Sequence, residues 1–112
     1  LFPYTTLFRS TSYNLVNGVH AANSAALCTA IARCEWGFAG IFMTDWDTTS
    51  SRRCTAEGCI QAGNYLLMPG SRREYSALLC ALRDGRLDRR LLRSCAGRII
   101  KTALGLSAPT AP

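Results

Sequence analysis

The stretch that most constrains the fold of this chain is a short apolar run that ends abruptly in a carboxylate. It reads GIFMTDW over positions 40–46. So short a run of apolar and β-branched residues predicts a strand buried on both faces, and such strands occur mainly in parallel sheets covered by helices. Asp45 then stands at the carboxyl end of the strand, where α/β barrels carry their chemistry. An Asp at such a place also often caps the following turn, so position alone leaves both roles open.

Strand and helix patterns alternate along the rest of the chain, which predicts an α/β fold of consecutive βα units on a parallel sheet. The expected strands cover 11–14, 40–44 and 64–68, and the expected helices cover 23–34, 53–62, 71–83 and 88–106. Asn14, Asn17 and Gly18 are expected turn formers in the loop after the first strand. A polar loop separates the central strand from the helix that follows it.

Caps and apolar stripes support the helices. Ser71 and Asp88 are suitable N-caps, Asn23 or Ser24 caps the first helix, Gly37 suits a left-handed helix end, and Asp84-Gly85 breaks the third helix. The spacing of apolar residues predicts two buried stripes. The stripe on the first helix is Leu27, Ala30, Ile31 and Cys34, and that on the last is Leu91, Leu92, Cys95, Ile99 and Leu104.

Composition bounds the class of protein. With 112 residues, 48% of them hydrophobic, the chain has room for one ordinary domain with a core. The formal net charge is +6 and most of the Arg residues lie between 72 and 101. They fall at helical spacing without interleaved aromatics, which favours a solvated outer face over a nucleic-acid site.

The six cysteines form no CxxC pair, and with a single His they indicate neither a zinc site nor a redox motif. Most of them fall inside helix patterns. Buried free thiols are therefore expected, which points weakly to a reducing, cytoplasmic compartment. No signal peptide or transmembrane run is visible in the sequence.

Several short segments together resemble glycoside hydrolase family 3, the β-glucosidase-like family. In chain order they are TSYN at 11–14, NG at 17–18, EWGF at 35–38, GIFMTDW at 40–46, AGN at 62–64 and MPG at 68–70. The resemblance covers residues 11–106 and implies the last three βα units of a (β/α)8 barrel, followed by a linker at 107–112. A whole barrel of this kind needs roughly 250 residues, so a fragment is implied.

The resemblance also implies site residues. Asp45 matches the nucleophile of a retaining glycosidase, and Tyr13 and Trp46 match residues that line the sugar site. The acid/base carboxylate and other sugar-binding residues would lie outside this chain, and neither a metal nor an organic cofactor is implied. The implied substrates are β-linked oligosaccharides or aryl β-glucosides, with no nucleic acid or membrane partner.

Four further residues bear on that match. Tyr65 stands where the family usually has Asp, and Asp47 where Gly is common. His20 belongs to a segment that shapes a loop in some members. Glu57 is expected to be solvated, which makes it a poor acid/base candidate.

The first ten residues, LFPYTTLFRS, match no part of the family. They coincide with an in-frame translation of a common sequencing-adapter oligonucleotide, which predicts a non-native lead-in that adds nothing to the core. A genuine amphipathic lead-in is the alternative.

The sequence is also compatible with two other functions. One is a non-enzymatic carbohydrate-binding or interaction module that uses Tyr13 and Trp46 as stacking platforms, and the other is a basic nucleic-acid-binding domain. If the chain is a barrel fragment, it is expected to be inactive and prone to associate, because its strand edges are open. The missing barrel interior is then expected to leave four apolar side chains in water: Ile41, Met43, Leu66 and Met68.

Overall fold

The computed structural model describes residues 7–107. In chain order its strands are β1 (Phe8–Thr11), β2 (Leu15–Val16), β3 (Val19–His20) and β4 (Ile41–Thr44). A π-type helix (Ala26–Glu35) lies between β3 and β4, and helices α1 (Ala56–Ala62), α2 (Arg72–Arg83) and α3 (Arg89–Ser107) follow. Single 3-10 turns cover Ala21–Asn23 and Thr48–Ser50. The fold class is α/β, as the sequence predicts.

A small parallel sheet carries the central apolar run. Strand β4 pairs in parallel with β1, with Phe8 opposite Ile41 and Thr11 opposite Thr44. On its other side β4 meets Leu66 in a single parallel bridge. The strand expected at 64–68 is thus reduced to one bridge, because the Met68 amide donates to the Thr44 hydroxyl, 2.8 Å away, instead of continuing the ladder.

The first strand begins earlier than expected. It covers Phe8–Thr11 in place of 11–14, and the amide of Ile41 also donates to the carbonyl of Leu7 at 2.7 Å. Residues 8–10 therefore belong to the sheet through their backbone, although their side chains are exposed. This pairing does not depend on side-chain identity, and the side chains of residues 7–10 lie outside the buried core. That the lead-in is non-native stays a prediction. Residues 1–6 and 108–112 lie outside the described residues.

A two-residue hairpin follows β1 and confirms the expected turn formers. Strands β2 and β3 pair antiparallel around Asn17 (φ 51°) and Gly18 (φ 79°). Positive φ at both positions is the type I′ geometry, whose twist matches that of the flanking strands.

The π-type helix buries a different stripe from the one expected. Cys28 and Ala32 are buried against Phe42 of β4, whereas Ala30 and Cys34 are exposed. Wide winding contributes to this difference, since the amide of Trp36 bonds the carbonyl of Ile31 five residues back. Gly37 (φ 67°) ends the helix in the left-handed conformation, as expected.

Helices α1 to α3 pack beside the sheet and confirm the expected caps. Ser71 and Glu74 form a capping box on α2, and Asp88 accepts a hydrogen bond from the Arg90 amide at 2.8 Å. Helix α1 starts at Ala56, after the cap Thr55, and is shorter than expected. Ile60, Ala81, Leu87 and Cys95 are the buried residues of the cluster that joins these helices.

The ends and outer faces of the helices contact water. Leu104, expected in the inner stripe of the last helix, is 67% exposed, so the stripe is not buried at this position. Glu57 forms an ion pair with Arg86 and is not simply solvated. The Arg residues between 72 and 93 are exposed, as the charge pattern predicts.

The cysteines are free thiols. Four are buried, as expected, but Cys34 and Cys80 are exposed. Ile41 is 1% exposed, so its expected exposure is wrong, whereas Met43, Leu66 and Met68 are half-buried. Within residues 7–107 no helix is long and apolar enough to cross a membrane, and no three potential metal ligands cluster.

Candidate active site

Asp45 follows the carboxyl end of β4, where the sequence places it. Its side chain is half-buried, and its Oδ1 accepts a hydrogen bond from the amide of Trp46 at 2.7 Å. The Asp45 carbonyl accepts a second bond, from the Thr48 hydroxyl at 2.7 Å. The residue thus shapes the turn after the strand, and the same contacts fix the orientation of its carboxylate.

Tyr13 reaches the same strand end from the loop after β1. Its hydroxyl donates to the carbonyl of Trp46 at 2.7 Å, across 33 positions of the chain. Desolvation, reinforced by the neighbouring Asp45 carboxylate and by Asp47, raises the pKa of the Tyr13 phenol. The phenol therefore stays protonated at neutral pH and can donate a hydrogen bond.

Trp46 completes the group of three expected site residues. Trp46 is 57% exposed, and Tyr13 is 54% exposed. Exposed aromatic faces beside a carboxylate suit a ligand with both apolar faces and hydroxyls, such as a sugar. The structure thus brings Asp45, Tyr13 and Trp46 to one end of the sheet.

An open groove of about 420 Å³ runs beside this strand end. It is lined by the loop after β1, by strands β2 and β3 and by the loop after β4: Tyr13, Leu15, His20, Trp46, Asp47, Thr48, Ser50, Ser51 and Arg53. Asp45 lies next to the groove and is not among its lining residues. A larger groove of about 600 Å³ lies elsewhere, around Trp36 and Phe38, and contains none of the expected site residues.

Three residues at this end had no role assigned from the sequence. Asp47 has the left-handed conformation (φ 54°), which Gly adopts at the least steric cost, and its charge acts on Tyr13. Thr48 is buried and anchors the Asp45 carbonyl. Arg53 brings a cation to the groove lining. Only Asp47 carried a sequence signal, as a non-Gly residue at a turn position.

His20 shapes a loop, as expected. Its Nδ1 accepts from the Ala22 amide at 3.2 Å, which caps the 3-10 turn after β3. Burial lowers the pKa of the imidazole, so His20 is neutral at pH 7. An acceptor Nδ1 agrees with that state.

Comparison with known proteins sets this geometry in context. No family model matches the chain. It is 40% identical over 90 residues to a β-glucosidase of Rhizobium radiobacter, and the matched segment covers 80% of this chain and 10% of that protein. It is 42% identical over 76 residues to an exo-α-(1→6)-L-arabinopyranosidase of Bifidobacterium breve, which covers 68% of this chain and 9% of that protein.

A solved structure agrees with these relatives. The GH3 β-glucosidase of Bifidobacterium adolescentis is 32% identical, with a TM-score of 0.71 over 96% of this chain and 16% of that one. The chain belongs to glycoside hydrolase family 3. It spans about a tenth of the length of the curated relatives it matches.

Tyr65 stands where the resemblance to the family implies an Asp. Its ring lies 4.8 Å from the Arg33 guanidinium and 5.7 Å from that of Arg98. A carboxylate there would pair with these cations, whereas Tyr65 contacts them through its π face. Arg33 also donates to the carbonyls of Gly40 and Gly63, at 2.9 and 3.0 Å. The substitution therefore leaves the cations with a partner.

Proposed function

We propose that this chain supplies the last three βα units of the (β/α)8 barrel of a retaining, β-glucosidase-like hydrolase, in which Asp45 is the nucleophile. Three parallel segments with intervening helices support the architecture: β1, β4 and the segment around Leu66. Barrel enzymes carry their chemistry at the carboxyl ends of such strands, which is where Asp45 stands. The family domain is then proposed to cover residues 11–106, with the backbone of residues 8–10 extending its first strand.

The observation that carries the proposal is the position of the Asp45 carboxylate. It follows β4, is held by the Trp46 amide at 2.7 Å and lies beside the Tyr13 phenol, next to an open groove. An acidic side chain that served only as a turn cap would need neither exposed aromatic neighbours nor a phenol from a distant loop. This combination suits a carboxylate that meets a sugar.

The proposed reaction uses two carboxyl groups, one as the nucleophile and the other as the general acid and base. An Asp45 oxygen attacks the anomeric carbon, the glycosidic C–O bond breaks, and a general acid protonates the leaving oxygen. Water then hydrolyses the glycosyl ester of Asp45, with the same general acid acting as base, and configuration is retained. That second carboxyl group is proposed to come from a part of the protein outside residues 1–112.

Tyr13 and Trp46 are proposed to bind the sugar beside the nucleophile. The protonated phenol can donate to a sugar oxygen or to Asp45, and the exposed indole can stack on a pyranose face. Proposed substrates are β-linked oligosaccharides or aryl β-glucosides.

The first prediction tests Asp45 in the full-length protein. Asp45→Asn is expected to lower turnover of an aryl β-glucoside by about four powers of ten or more, because a neutral amide cannot form the glycosyl ester. The measurement is nitrophenol release, combined with mass spectrometry of protein trapped by a 2-deoxy-2-fluoro glucoside, which should label the peptide that contains Asp45.

Asp47→Asn is the matched control, since it removes another carboxylate from the same loop. It is expected to keep turnover within about tenfold of the parent, because Asp47 is not proposed to bond the sugar. If the Asp45 variant kept near-normal turnover, or the label lay on another carboxylate, the assignment of the nucleophile would be wrong.

The exposure of Tyr13 and Trp46 also supports a second candidate, a carbohydrate-binding module without catalysis. The same experiment separates the two functions. Binding of the aryl glucoside by the full-length protein, with no nitrophenol released and no covalent label, would favour the binding module.

A further inference from the structure

Two buried thiols lie against each other beneath the loop that follows Asp45. The Sγ atoms of Cys54 and Cys59 are 3.6 Å apart, and the two residues are 1% and 0% exposed. Cys54 ends the loop and Cys59 lies within helix α1. A disulfide needs an S–S distance of about 2.05 Å, so the sulfur atoms would have to approach by only about 1.5 Å.

We propose that Cys54 and Cys59 form a reversible disulfide when the protein meets a hydroperoxide. The two thiols in contact would then be a site of modification, and neither of them is a proposed sugar-binding residue. The disulfide would close a ring that contains only the few residues between Cys54 and Cys59. Its main effect would therefore be to link the end of the loop to α1.

The environment assigns different roles to the two thiols. A hydrogen bond from the Cys59 thiol lowers the pKa of Cys54, whereas its bond to Cys54 and its burial raise the pKa of Cys59. Cys54 is thus the better nucleophile and Cys59 the resolving thiol. The Asn23 amide donates to Cys59 Sγ at 3.1 Å and so keeps that sulfur in place.

The chemistry balances in two steps. The Cys54 sulfur attacks one oxygen of hydrogen peroxide, the O–O bond breaks, and a sulfenic acid and one water result. The Cys59 sulfur then attacks the Cys54 sulfur, the S–O bond breaks, and the hydroxyl leaves as a second water with the Cys59 proton. Two thiols are oxidised and one peroxide is reduced. A thiol reductant reverses the change by exchange.

The disulfide would act on the loop that borders the groove. Residues 51–53 are exposed, precede Cys54 directly and include groove-lining positions. Asn23, which contacts Cys59, also exchanges hydrogen bonds with the backbone of Thr55 at 2.9 and 3.1 Å. The pair therefore lies where the loop after β4 meets the turn after β3.

Tryptic digestion gives a direct test on the chain as it is. Cys54 and Cys59 share one peptide, 54–72, while each of the other four cysteines falls on a separate peptide. After a pulse of hydrogen peroxide, acid quenching and alkylation with N-ethylmaleimide, peptide 54–72 is expected to be lighter by two hydrogen atoms and to carry no adduct. Reduction before alkylation should restore two adducts.

Cysteine variants and a measurement in urea serve as controls for this cross-link. Cys54→Ser and Cys59→Ser should each leave one alkylated thiol in the peptide, whereas Cys28→Ser, which removes a third buried thiol nearby, should leave the cross-link intact. In urea the contact between the two sulfur atoms is lost, so the fraction of peptide 54–72 that is cross-linked at a given peroxide dose should fall. Two adducts on peptide 54–72, at a peroxide dose that oxidises Cys34 and Cys80, would overturn the proposal. So would a cross-link between the peptides that contain Cys28 and Cys59, or a cross-linked fraction of peptide 54–72 that is as large in urea as in the folded chain.

Discussion

Glu74 is a buried acid that ties the loop after Asp45 to helix α2. It is 4% exposed, and its carboxylate accepts from the Thr49 hydroxyl at 2.7 Å and from the Ser71 amide at 2.6 Å. Burial alone would raise the pKa of Glu74, but these hydrogen bonds outweigh it and the pKa is lowered. The ionised form is thus the form that the fold stabilises.

We predict that Glu74→Gln lowers the free energy of unfolding at pH 7 by about 1–2 kcal/mol, because charge-assisted bonds become weaker neutral ones. Since folding lowers the pKa, the contribution of Glu74 is present above the ordinary carboxyl pKa and is lost as pH falls through the lowered one. Urea unfolding of the dilute chain at pH 7 and about pH 3 should therefore show a smaller acid loss in the variant. Glu35→Gln, at an exposed position, is the control, and equal acid loss in the parent and the Glu74 variant would contradict the prediction.

Gly63 is required by backbone geometry at the end of α1. It has φ 92°, and a Cβ there would lie 2.7 Å from Thr29 Oγ1, which donates to the Ala62 carbonyl at 2.8 Å. We predict that Gly63→Ala destabilises the chain by about 1–3 kcal/mol, through strain and loss of this bond. The measurement is the midpoint of urea unfolding.

Gly97→Ala is the matched control for Gly63. An added Cβ at Gly97 in α3 meets nothing within 4 Å. It should stabilise the helix by up to about 1 kcal/mol. Equal effects of the two substitutions would show that the left-handed conformation at Gly63 is not needed.

At the level of elements, β1 shows that backbone pairing can bring a segment into a sheet although the side chains of that segment do not predict a strand. Residues 8–10 are exposed yet pair with β4. We predict that a chain lacking residues 1–10 unfolds at lower urea than one lacking residues 1–6. The lost pairing bonds, including that from Ile41 to Leu7, contribute about 1 kcal/mol each. Circular dichroism measures both midpoints, and equal midpoints would support the original expectation of a dispensable lead-in.

Features set by a few neighbouring residues could be predicted from the sequence. The caps at Ser71 and Asp88, the left-handed Gly37 and the Asn17-Gly18 turn depend on local hydrogen bonds and φ preferences, and all four are confirmed. The position of Asp45 at the end of a strand could be predicted as well, because an apolar run that ends in a carboxylate leaves few other placements for that residue.

Features set by distant contacts could not be predicted in the same way. The buried face of the π-type helix differs by one residue from the expected stripe, because Phe42 decides which side chains it meets. The contact between Tyr13 and Trp46, and that between Cys54 and Cys59, depend on loop paths. The reduction of the third strand to one bridge likewise follows from the Thr44 hydroxyl, which periodicity does not detect.

At the scale of the whole molecule, the sheet has unpaired edges. Among residues 7–107, β1 is hydrogen-bonded in a sheet only to β4, and the segment at Leu66 also meets only β4. Large apolar side chains remain in water near these elements, including Leu7 at 47%, Phe8 at 37% and Trp36 at 77% exposure. Unpaired edges and exposed apolar surface both favour association, the latter by roughly 25 cal/mol per Å² buried.

We therefore predict that the 112-residue chain, expressed as it stands, self-associates and has no measurable glycosidase activity. Asp45 stands at its strand end, but a second carboxyl group to protonate the leaving oxygen is proposed to lie outside this chain, as is most of a sugar pocket. Without these groups the transition state gains no stabilisation beyond that of the bound sugar, so turnover is not expected. The test combines nitrophenol release from an aryl β-glucoside with analytical ultracentrifugation of the same sample. A monodisperse monomer that releases nitrophenol would contradict both the proposed architecture and the proposed need for a second carboxyl group from elsewhere.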